Sequence, residues 1–273
     1  QGTNSLVFAM VTDGQSIYAA GAFDQAGGQP ASRVARWDGV SWAALAAGGE
    51  NGISALGPDG LQSAAYALAF DGDALYVGGD FASAGGVVAN FIARWDGALW
   101  SSLGSGAANG VDDQVLALLP SADGLIVGGY FDSAGGIPAN HIARWRDQSW
   151  EALSGSNGEG LNDDVFALRQ FGSELYVGGS FTQAGTLSAS RIARWDGQSW
   201  RALGDESSEG VDSTVRALAV AGDQLAVAGF FTIAGGQQSS YAAFWDGSGW
   251  DAPGVGAGNG VNGPIYAVAV RGD

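Results

Sequence analysis

A chain of 273 residues, 46% of them hydrophobic and 47 of them glycine, carries too much apolar material for a disordered tail and enough for one large core or two small ones. Its 28 acidic residues outnumber 11 basic ones, all arginine, and the net charge of −17 sets it against nucleic-acid backbones and anionic membrane surfaces. The absence of cysteine excludes disulfides and thiolate metal sites, a single histidine speaks against a zinc or copper redox centre, and no apolar run is long enough to span a bilayer as a helix.

The ten tryptophans fall into five pairs of constant spacing, from Trp37 and Trp42 to Trp245 and Trp250. The pairs recur every 50 residues after a first step of 58. Such a period marks stacked or ring-closed units. Aligned copies give repeats 1–58, 59–108, 109–158, 159–208 and 209–258, with 259–273 opening a sixth. The eight extra residues of the first repeat fall between Leu45 and Gln62, where they lengthen a loop.

Each repeat predicts four short strands. Strand A is VFAMV at Val7–Val11, VLALL at Val115–Leu119, VFALR at Val165–Arg169 and IYAVA at Ile265–Ala269. After a tight turn, strand B reads LYVGG at Leu75–Gly79 and Leu175–Gly179, and strand C reads IARW at Ile92–Trp95, Ile142–Trp145 and Ile192–Trp195. Turns such as Asp96-Gly97 lead into strand D with the second tryptophan. No segment has helical periodicity with caps, so the fold class is all-β. Four antiparallel strands per 50 residues, apolar on both faces and rich in Ala and Gly, describe the blade of a β-propeller, here five complete repeats plus one extra innermost strand.

The double glycine closing strand B and the aromatics on the next two strands resemble a kelch-type blade, although kelch units usually carry a Tyr before the Trp at a wider spacing. Tyr66–Gly97, YALAFDGDALYVGGDFASAGGVVANFIARWDG, is more similar to the bacterial surface repeats called delta-sixty. That resemblance covers essentially the whole chain. It implies a secreted or cell-surface bacterial propeller, a fold whose families share no single activity. Because Leu6–Val11 and Ile265–Val270 hold the same repeat position, the expectation is a longer parent chain, a displaced end, or a strand given to a partner in an exchanged oligomer.

In an up-and-down blade the long B–C and D–A loops share one face, where a ligand site would be built. That face is acidic: Asp80, Asp112, Asp113, Asp163, Asp164, Asp205, Glu206, Glu209 and Asp212. Asp112, Asp113, Asp163, Asp164 and Asp212, just before strand A, form the candidate metal set, and oxygen-rich clusters suit Ca²⁺. A solvated rim is the plainer reading. Trp42, Trp100, Trp150, Trp200 and Trp250, on the outermost strand, are the more exposed tryptophans expected and the candidate platforms for a sugar ring, set against simple packing between blades. Arg36, Arg94, Arg144 and Arg194 precede the first Trp, where Phe244 stands in the fifth repeat; they are expected to stack on that aromatic or brace the blade. His141 shares a permissive slot with Arg33, Phe91, Arg191 and Tyr241 and is expected at the surface. Arg271-Gly272-Asp273 reads as an A–B turn variant, and the double glycines lack the Lys of a phosphate loop.

The function that follows is a non-catalytic extracellular scaffold or binding module with a protein or glycan partner, no nucleic acid and no membrane insertion. The alternative is a glycoside-active enzyme with paired carboxylates. Enzyme propellers break their symmetry at the site, and the only large irregularity is the loop at Ala46–Leu61, whose carboxylates are Glu50 and Asp59. That balance favours binding.

Overall fold

A computed structural model describes residues 2–270 apart from 73, 206–208 and 255–259. The turn residue Asp73, Glu206 and the Arg271-Gly272-Asp273 tripeptide therefore lie outside the described residues. Each complete repeat forms a four-stranded sheet in the order A–B–C–D, so the chain is a β-propeller built of four-stranded antiparallel blades. In the second repeat the strands are Ala64–Asp71, Ala74–Asp80, Ile92–Trp95 and Trp100–Ser102. Strand B reads as a continuous apolar run because its side chains are buried on both faces. Packing divides the chain into two compact units: residues 1–139 with 143–151, holding the first three sheets, and residues 140–142 with 152–273, holding the last two.

Two positions hold each blade together. Phe23, Phe81, Phe131, Phe181 and Phe231, two residues after the strand-B glycine, are fully buried. The double glycine has two separate duties. A Cβ on Gly78 or Gly178 would collide with the Val115 or Val215 side chain of the next repeat's strand A. A Cβ on Gly79, Gly129, Gly179 or Gly229 would strike the backbone at the start of strand A of its own repeat. Where the first glycine is Ala20, the facing strand carries the smaller Ala65, and both lie in one packed cluster.

Strand A carries a β-bulge at its start in all five repeats, between Val7 and Ala9, Ala65 and Ala67, Val115 and Ala117, Val165 and Ala167, and Val215 and Ala217. The bulged residues are Phe8, Tyr66, Leu116, Phe166 and Arg216. Bulges re-aim side chains, and these are placed beside the D–A loops.

Three expectations change. The long B–C loop contains a two-residue hairpin, such as Ser83–Ala84 with Val87–Val88, closed by Gly85 and Gly86 at positive φ. The C–D turn of the third repeat uses Asp147 and Gln148, both at positive φ, in place of Asp-Gly. Residues 265–270 form no strand, since the ladder of strand A comes from its own strand B and none is among the described residues. Ile265 instead donates its N–H to the Gly229 carbonyl at 3.1 Å, and Tyr266 packs on Phe230 with ring centroids 5.2 Å apart.

Candidate functional site

The D–A and B–C loops lie together because one acceptor per repeat ties them. Asp112 Oδ1 accepts the N–H groups of Asp132 and Ser133 at 3.0 and 2.9 Å. Asp212 does the same for Thr232 and Ile233, and its second oxygen accepts the Thr232 hydroxyl. Asn4 and Asn162 do it in the first and fourth repeats, and the Ser54 hydroxyl in the second. Since Asn and Ser serve as well as Asp, the position requires an oxygen and no charge. Asp112→Asn should therefore leave thermal stability nearly unchanged, while Asp112→Ala, which strands two loop N–H groups, should cost about 1–2 kcal/mol by denaturant melting.

Asp113 and Asp163 each accept the N–H of the following residue, at 2.7 and 2.8 Å. Asp164 sits 3.9 Å from His141 Nδ1. Among the described residues, no three Asp, Glu or His side chains are grouped as a metal ion would require.

The outer tryptophans are not the exposed set. Trp100, Trp150 and Trp200 are 4%, 8% and 2% exposed, and Trp42 and Trp250 are half-buried. The cause is the B–C hairpin: the glycines Gly27, Gly85, Gly135 and Gly235 lie directly on the rings of Trp42, Trp100, Trp150 and Trp250. Trp100, Trp150 and Trp250 also donate their indole N–H to the carbonyls of Leu45, Leu103 and Leu203. Each pair of tryptophans packs ring to ring at 5.0–5.5 Å.

The arginines before the first Trp brace strands. Arg36 donates to the Ser16 hydroxyl and Arg194 pairs with Glu174 at 2.9 Å. Consecutive strand residues point to opposite faces, so none can stack on the Trp beside it. The His141 slot is a second correction. Arg33, Phe91, His141, Arg191 and Tyr241 all stand at φ between 62° and 68°, and the His141 side chain is only 15% exposed. The N–H of this residue is needed where the strand-C approach turns, for it bonds the carbonyl of Phe23, Phe81, Phe181 or Phe231 in four repeats.

The eight-residue insertion of the first repeat falls on the long-loop face. It is a finger, with Leu56 bridged to Gln62 and its base closed by a bond from Ser63 N–H to the Ala55 carbonyl. Buried Arg33 locks that base by donating to the carbonyls of Ser63, Ala55 and Phe23 and to the Ser63 hydroxyl. The finger leans on Asp80: a Cβ on Gly57 would stand 2.8 Å from Asp80 Oδ1 and 3.3 Å from Asp59 Oδ1. Gln114 Nε2 reaches Asp80 Oδ2 at 3.4 Å. Burial, then the charges of Asp59 and Asp113, raise the Asp80 carboxyl above the ordinary aspartate range. Tyr66 is raised too, by burial first and then by the neighbouring Asp80 and Tyr130. Tyr66 in turn packs against Phe8 at 5.4 Å. Leu56 and Leu61, on the finger, are 53% and 68% exposed. This is an aromatic and apolar surface set around three carboxylates.

Comparisons with known proteins agree with the fold. A family model described as "Domain of unknown function (DUF5122) beta-propeller" matches residues 121–144. Among solved structures, the computationally designed Ika8 protein is 14% identical, with a TM-score of 0.50 over 98% of this chain and 79% of that one. The extracellular domain of a protein named as one component system BT4673, from B. thetaiotaomicron, is 11% identical with a TM-score of 0.50. There the match covers 98% of this chain and 36% of the other, so this chain spans about a third of it. No curated protein matches. The chain is thus a β-propeller by sequence model and by structure, and among its described residues no helix is long and apolar enough to cross a membrane.

Proposed function

We propose that this propeller is a non-catalytic extracellular binding module, of the kelch-like and delta-sixty kind found on bacterial surfaces, that engages a protein or glycan through its long-loop face. The observation that carries the reading is the finger at residues 55–63. It is the eight-residue insertion in the repeat, and it brings Asp59 beside Asp80, which in turn neighbours Tyr66. Loops on a rigid scaffold are where binding residues concentrate, and aromatic rings flanked by carboxylates suit both sugar rings and peptide groups. A role for Ca²⁺ belongs to the same proposal. Its candidate ligands fall in two separate places, the Asp112 and Asp113 carboxylates of the first unit and those of Asp163, Asp164 and Asp212 in the second.

A glycan array and a panel of surface proteins, each read with Ca²⁺ and with EDTA, form the test. Selective binding that weakens at least about fivefold in Asp59→Asn or Tyr66→Leu is the expected result. Loss in EDTA would add calcium to the site. Binding indifferent to both substitutions, or none on either panel, would sink the reading. The glycoside-active alternative draws on Asp80, a carboxyl raised by burial and by its neighbours Asp59 and Asp113, the direction a general acid needs. It expects release of reducing ends from an oligosaccharide panel, abolished by Asp80→Asn.

A further inference from the structure

We propose that the surface formed by Phe8, Tyr66, Asp80 and the finger receives an arginine side chain presented by a partner protein. The inference rests on the reading of this face as a binding surface and names the group it takes.

The chain itself contains the model for the contact. In the second unit, the bulged residue of the fifth repeat is Arg216, and its guanidinium lies 4.0 Å over the ring of Phe166, the bulged residue before it. It also lies 6.0 Å from the ring of Phe230, which follows the strand-B glycine. Bulged aromatics on this fold therefore accept a guanidinium face-on, a contact that arginine makes better than lysine. In the first unit the bulge positions hold Phe8, Tyr66 and Leu116, and among the described residues no arginine lies over the Phe8 or Tyr66 ring. The position of Phe230 is filled there by Asp80, with Asp59 and Asp113 beside it.

Among the described residues, no cation meets the charge of these carboxylates. None of the described ion pairs involves Asp59, Asp80 or Asp113. Arg33, which holds the finger, spends its donors on carbonyls and a hydroxyl. The surface thus offers aromatic faces and uncompensated negative charge together, with exposed Leu56 and Leu61 as an apolar margin. Its complement is a cationic, planar side chain on a segment with some apolar character of its own.

The probe is a labelled octapeptide, Gly-Ser-Arg-Gly-Ser-Arg-Gly-Ser, with a twin carrying lysine at both arginine positions, titrated onto the full chain by fluorescence polarisation. The arginine peptide should bind at least about fivefold tighter than its twin. Tyr66→Leu and Asp80→Asn should each weaken it by a similar factor. Asp59→Asn, on the exposed finger where Asn keeps the turn bond to Leu61, serves if the half-buried positions disturb folding. Asp123→Asn, on a short turn of the other face, changes net charge equally and should leave binding as it was. Equal binding of the two peptides, or equal weakening by Asp123→Asn, would reduce the effect to bulk attraction by an acidic protein and overturn the inference. If the arginine peptide is ignored while array binding still depends on Asp59 and Tyr66, the inference fails and the binding reading stands. If neither responds, both fail.

Discussion

Truncating Phe131 to alanine should destabilise the first unit by about 3–5 kcal/mol, the largest single loss expected in this molecule. The ring is fully buried in a cluster that includes Phe91, Leu103, Val115, Leu125, Val127 and Trp150. These residues come from several strands of two repeats, so the cavity cannot collapse by moving one side chain. Equilibrium unfolding in urea, followed by tryptophan fluorescence, reads the change directly. A loss below about 1 kcal/mol would mean that blade packing relaxes far more freely than a close-packed interior allows.

Gly78→Ala should cost about 1–3 kcal/mol by overpacking, because the added methyl would drive into the Val115 side chain of the next repeat. The first repeat already shows the remedy, with Ala20 and Ala65 in one cluster. Gly78→Ala together with Val115→Ala should therefore lose less than the sum of the two single changes, by about 1 kcal/mol or more. Additive losses would show that the two positions do not press on each other and would remove the account given for the first glycine. Gly79→Ala has no such rescue, since its methyl meets the backbone of Ala64 and Ala65.

What was legible in the sequence is what repeats with a strong local signal. The tryptophan period, the Asp-Gly turns and the apolar runs located the four strands, and the blade followed from strands buried on both faces. The B–C hairpins were missed because two-residue strands are too short to show alternation, although the paired glycines signalled their turns. The bulges were invisible because register is a property of a pair of strands, and the residues concerned differ in every repeat. The left-handed slot was hidden for the same reason: Arg, Phe, His and Tyr give no hint of positive φ. An outer strand is exposed by default, and for Trp100 and Trp150 the B–C hairpin folded over the rings reverses that. At the candidate site, Asp59 and Asp80 stood out singly in the sequence. The meeting of Asp59 with Asp80, which neighbours Tyr66, depends on a finger folding back onto the next strand, which no local pattern encodes.

The bulge at the head of each inner strand has a bearing on how such a protein can change. A residue that is surplus to the ladder can be exchanged without shifting any strand pair, so the five positions from Phe8 to Arg216 are letters on a fixed frame, coupled only where neighbours touch, as Phe8 and Tyr66 or Phe166 and Arg216 do. Duplication multiplies the frame, and substitution at one letter per copy changes each blade separately. A family of such chains could thus diverge in sequence at these positions while the strands of each blade keep their register.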